Sequence, residues 1–186
     1  MQTTSMTERA AQSHPRARQV AFLLAGIGVL TASSYVAVPM VPVPVTMQTL
    51  AVLLVGAVAG PRMGLAMVVS WLALAAFGLP VLAGGKAGLL AFTGPTAGFL
   101  LAFPVTAFLA GLAVQTFARG HLSRFASFLG LHGLILLAGW AWLSTLVGAE
   151  TAFVAGVAPF LVGALIKSAL GAAILAAIPG KYRQAG

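Results

Sequence analysis

The chain has 186 residues, 60% of them hydrophobic and 6% charged, with a mean hydropathy of +1.05, so it lacks the polar surface to enclose one water-soluble domain. Ten Lys and Arg against two acids give a formal charge of +8, and no cysteine is present. The basic residues are scattered between and beyond apolar runs, which argues against nucleic acid as a partner because that needs one basic face, and disulfides and thiolate metal sites are excluded.

Apolar runs of about 20 residues match the hydrocarbon core of a bilayer, and the chain reads as an all-α integral membrane protein with six transmembrane helices. Residues 1–18 are expected to form a disordered cytoplasmic tail, 19–180 a single six-helix membrane domain and 181–186 a short cytoplasmic tail. The polar start, followed by a run long enough to span, is not the pattern of a cleavable signal peptide. The first span is expected at about 19–37 and ends in a stretch where Pro39, Pro42 and Pro44 oppose helix. The second, about 45–60, is short for a full crossing, which leaves a re-entrant segment as the alternative, and Val43 to Val45 can lengthen it if a proline sits in the first turn. The third covers about 63–80 and stops at Gly78-Leu79-Pro80. A glycine-rich stretch follows, then spans at about 97–117, kinked at Pro104, at 126–147 and at 156–178.

Positively charged loops stay on the cytoplasmic side. With the N-terminus inside, Arg9, Arg16, Arg18, Arg62, Arg119, Arg124, Lys181 and Arg183 all fall on cytoplasmic segments, and the outside receives Lys86 beside Glu150. This partition requires an even number of crossings and puts both termini in the cytoplasm.

Lys167 breaks the apolar run of the last span. Eight residues beyond Pro159, it lies about 12 Å down the helix axis, where a lysine costs about 2.5 to 3.5 kcal/mol on insertion scales. Snorkelling to the headgroups is one answer. Another is an anion from outside the protein, because the chain's two acids are Glu8 in the tail and Glu150 in the outer loop. Its helical neighbours Gly163, Ala164 and Gly171 leave a shallow groove, which suits either a ligand or a close helix contact.

The other outer lysine, Lys86, stands in AGGKAG, where Gly84 and Gly85 let backbone approach a bound molecule, or simply make a flexible loop. The string is not a phosphate-binding loop, since Pro80 and Ala87 occupy the places of its first glycine and its hydroxyl residue. His14, His121 and His132 are too dispersed for paired ligands or a catalytic triad. The six spans carry no Asp or Glu for a proton relay. An enzyme is thereby disfavoured, and binding and passage of an anionic or amphipathic small molecule remains.

The pieces PVTMQT, GLPVLAGG, GPTAGF and PFLVGALIK, in this order and spacing between Val20 and Pro179, resemble the BioY family, the biotin-specific substrate-binding subunits (S components) of energy-coupling factor (ECF) transporters. The resemblance implies an S component of six helices in the cytoplasmic membrane of a prokaryote. It would capture biotin from outside and work with a transmembrane T component and two cytoplasmic ATPases, which would hydrolyse the ATP. No cofactor is implied for this chain. Two departures stand out: the family's usual proline-glycine-aspartate is Val162-Gly163-Ala164 here, and a frequent tyrosine is Phe99.

Biotin combines an apolar bicyclic ring, a ureido group and a carboxylate. Tyr35, Trp71 and Trp142 are candidates to cradle the ring, or else serve as packing or interfacial aromatics. Thr46 and Gln48 offer hydrogen bonds from the start of the second helix, or cap it. Lys167 and Lys86 would meet the polar atoms and the carboxylate, in either order. Ala21 and Ala25 form a small-xxx-small pair on the first helix, resembling the alanine motif with which S components dock the T component. A self-sufficient facilitator and a non-transporting membrane scaffold remain as alternatives.

Overall fold

The computed structural model describes residues 15–179. The expectations placed on residues 1–14 and 180–186, including Arg9, Lys181 and Arg183, lie outside the described residues.

Among the described residues, seven α-helices carry the fold. Helix α1 (Pro15–Tyr35) begins four residues ahead of expectation, because proline is tolerated in a first turn. Two short strands follow, β1 (Ala37–Val38) and β2 (Val45–Thr46), paired antiparallel with Ala37 opposite Thr46. Val45 is therefore extended rather than an extension of the second helix, since the intervening prolines deny the segment helical hydrogen bonds.

Helices α2 (Gln48–Ala59) and α3 (Pro61–Ala76) are joined by Gly60 alone, at φ 83. Two 3₁₀ turns, Ala83–Gly85 and Leu89–Phe92, lead to α4 (Ala97–Thr116), with Pro104 inside it. Helix α5 (His121–Val147) starts one turn earlier than expected. The outer loop expected around Glu150 is instead the short α6 (Ala149–Gly156), after which α7 (Ala158–Ala177) closes the chain.

Four of these helices, α1, α4, α5 and α7, are long and apolar enough to cross a membrane. Helices α2 and α3 are apolar but shorter, about 18 and 24 Å at 1.5 Å per residue, as expected for the second element and not for the third. The outward face is that of a lipid-embedded body: Leu24, Leu137 and Ile166 are 59%, 58% and 62% exposed, a pattern that water would penalise.

The centre is closed by backbone contact. A Cβ on Gly56 would lie 2.1 Å from the carbonyl oxygen of Ala107, and one on Gly111 2.4 Å from Pro61 N. Helices α2, α3 and α4 thus approach closely through small residues, the device that replaces a hydrophobic drive between helices in lipid. The α2–α3 turn, with Arg62, shares a hollow with Phe108 and Gln115 of α4. It therefore sits at the same end as Arg119, which follows α4.

Candidate functional site

At the opposite end, the N-termini of α2 and α7 meet the two inter-helix loops around a narrow cavity of about 50 Å3. Its polar wall carries Thr46, Gln48, Thr49, Lys86 and Lys167; its apolar wall includes Phe99, Phe103 and Phe160.

Lys167 is half-buried, and it is not the unmated cation that the sequence suggests. Its Nζ donates to the backbone oxygen of Thr46 at 2.5 Å and to Thr49 Oγ1 at 3.4 Å. Both acceptors are neutral, so the positive charge keeps no carboxylate partner among these contacts, and an ammonium has a third N–H to offer. Thr46 is the last residue of β2 and stands two residues before α2 begins.

Thr46 and Gln48 are buried in a short polar chain. Thr46 Oγ1 donates to Gln48 Oε1 at 3.1 Å, Gln48 Nε2 donates to Ser34 Oγ at 2.8 Å, and Ser34 Oγ–H donates to the Leu30 oxygen at 2.9 Å. The Gln48 backbone N–H also donates to Thr46 Oγ1 at 3.3 Å, so Thr46 serves the helix start as well as the cavity. Bonded inward, the Gln48 amide presents a fixed face to the hollow.

Lys86 is exposed at the cavity's loop side. Gly84 and Gly85, just before it, both adopt positive φ, 68 and 72. An L side chain is strained in that conformation, so the glycines earn their place by turning the loop; the cavity wall takes Ala83 beside them rather than either glycine.

Of the two roles open to the three aromatics, the structure shows packing and tethering rather than lining of the cavity. Tyr35 is exposed, and its hydroxyl donates to the Pro80 oxygen. Trp71 is fully buried, donates from Nε1 to the Val81 oxygen at 3.3 Å and stacks on Phe103 with centroids 6.3 Å apart. Trp142 Nε1 donates to the Gly94 oxygen at 2.9 Å. All three tie loops to helices instead of lining the hollow. Gly163 and Ala164 also stand outside its wall, the latter buried, with its oxygen accepting from Ser168.

The rings that do line it were legible in part. Phe99 and Phe103 are one turn apart, and Phe160 is two turns before Lys167, spacings that share a helix face. Phe99 lies 6.2 Å from Phe160 between centroids, and reaches that place because Gly139 on α5 lacks a Cβ, which would sit 2.2 Å from the ring. Thr49 had no signal beyond lying one residue after Gln48.

A helical membrane protein with aromatic rings on one cavity wall and lysines, hydroxyls and an amide on the other is a holder of small amphipathic molecules. The chain belongs to the BioY family, whose model matches residues 3–184. It is 35% identical to the probable biotin transporter BioY of Pyrococcus horikoshii over 165 residues, 89% of this chain and 98% of that protein. It is 40% identical to the biotin transporter BioY of Rhodobacter capsulatus over 147 residues, 70% of this chain and 77% of that one. The crystal structure of the S component for biotin from an ECF-type ABC transporter superposes with a TM-score of 0.79 at 25% identity, covering 88% of this chain and 92% of that one.

Proposed function

We infer that this protein is the biotin-capturing S component of an ECF-type transporter, a multi-pass subunit that takes biotin from outside the cell. The observation that carries the reading is the half-buried Lys167 at the wall of a cavity whose other side is aromatic. Phe99, Phe103 and Phe160 hold the bicyclic ring. Lys167, Gln48 and Thr49 meet polar atoms of the ligand, and Lys86 at the rim draws its carboxylate inward.

In this reading the subunit sits in the cytoplasmic membrane of a prokaryote with both termini inside, needs no cofactor, and leaves ATP hydrolysis to two partner ATPases coupled through a T component. Ala21 and Ala25, both exposed on α1, are the docking face for that T component. Small residues at this spacing allow close helix approach.

Mass spectrometry of the detergent-extracted protein tests the substrate: biotin should co-purify in stoichiometric amount, and a different bound molecule or none after growth with biotin overturns the reading. Replacing Ala21 and Ala25 together with leucine should abolish co-purification of the T component and leave biotin capture intact. Retained assembly would remove the docking role.

A further inference from the structure

Beneath the cavity floor, α5 and α7 share a buried polar pair that the proposed function does not use. His132 is 3% exposed and Ser168 fully buried. His132 Nδ1 lies 3.0 Å from the Phe128 oxygen and 3.0 Å from Ser168 Oγ. The single hydroxyl proton of Ser168 goes to the Ala164 oxygen at 2.7 Å. Both neighbours of Nδ1 are therefore acceptors, and the ring is the neutral Nδ1–H tautomer with a bare Nε2. That Nε2 is buried without a hydrogen-bond partner among the described residues.

Ser168 directly follows Lys167, and successive residues on a helix point about 100° apart. One faces α5, the other the start of α2. Helix α7 also touches α5 at Gly171, where a Cβ would lie 2.4 Å from the Phe128 ring.

We propose that His132 is a positioning residue for substrate capture: its Nδ1–H, shared between the Phe128 oxygen and Ser168 Oγ, links α5 to α7 and holds α7 in the rotation that keeps Lys167 at the cavity wall. The proposal rests on the reading of Lys167 as a ligand-binding group.

The test measures biotin affinity and thermal unfolding of detergent-solubilised variants. Asparagine carries an N–H near the place of Nδ1, glutamine near the place of Nε2. His132→Asn should bind within about threefold of the parent, whereas His132→Gln and His132→Leu should lose about tenfold while remaining monodisperse. Ser168→Ala should lose a comparable amount, and serves in place of His132→Leu if that variant does not fold. In a Lys167→Ala background the His132→Leu loss should vanish, because there is no longer an ammonium to position.

Parent-like binding by His132→Leu, or a full additive loss in the Lys167→Ala background, overturns the positioning role alone. Unchanged affinity in Lys167→Ala overturns the role of Lys167 and this one with it. Imidazole 15N shifts offer a separate check: a protonated Nε2 beside a bare Nδ1 would contradict the assignment.

Discussion

The two ends of α2 are held in opposite ways. Near its C-terminus, Gly56 sits against the backbone of α4, with no room for one further carbon. At its N-terminus, Thr46, Gln48 and Thr49 are held by hydrogen bonds to Ser34 and Lys167. Steric contact admits one arrangement. Hydrogen bonds among cavity-facing groups can be traded for bonds to a ligand at little net cost, since each exchange replaces one polar partner with another. The proposed capture site lies at the exchangeable end, with the rigid end as its frame.

The sharpest way to break this contrast is to crowd the rigid end. Gly56→Leu places carbon where the Ala107 oxygen already sits, and should cost about 3 kcal/mol or more. Size-exclusion chromatography would then show loss of monodisperse protein; a normal profile and unchanged melting would mean the helices are not locked there. At the other end, Lys167→Ala should leave the fold intact and weaken biotin binding on the order of 100-fold, the size of a lost charge-assisted hydrogen bond of about 1.5 to 3 kcal/mol. Equilibrium binding with radiolabelled biotin reads this directly.

Gln48→Leu should have an intermediate effect. It strips partners from buried Thr46 and Ser34, which costs about 1 to 3 kcal/mol of stability, and should weaken binding roughly tenfold. A drop in affinity without a drop in melting temperature would show that the amide serves the ligand and not the frame. The smallest effect belongs to Lys86→Ala. An exposed charge contributes about 0.2 to 1 kcal/mol, so affinity should fall less than about fivefold at low salt and not at all at high salt. A salt-independent loss would place Lys86 deeper in recognition than its exposure implies.

Parts of this architecture were legible from residue order. The third helix stops ahead of Gly78-Leu79-Pro80 as that stretch predicts, and Lys167 and Lys86 stand out as lone charges in otherwise uncharged stretches. Other parts misled. Glu150 was assigned to a loop although Ala149–Gly156 is helical, because an eight-residue helix leaves little periodic signal. Tyr35, Trp71 and Trp142 looked like ring-binding groups because aromatic identity is visible in sequence, whereas the carbonyls that engage them, on Pro80, Val81 and Gly94, are not. His132 read as solitary because Ser168 is 36 residues away.

Sequence by itself determined that this is a helical membrane protein with a lysine inside its last apolar run, since hydropathy and charge are local properties that accumulate along a chain whatever its partners. The tertiary structure alone decided how that cation is held, because the acceptors of Lys167 lie 121 and 118 residues before it. It also decided which rings face the cavity, because Phe99 can enter only where Gly139 on a neighbouring helix leaves a gap. Contacts of that kind depend on the packing of whole helices, and packing is settled between elements rather than within them.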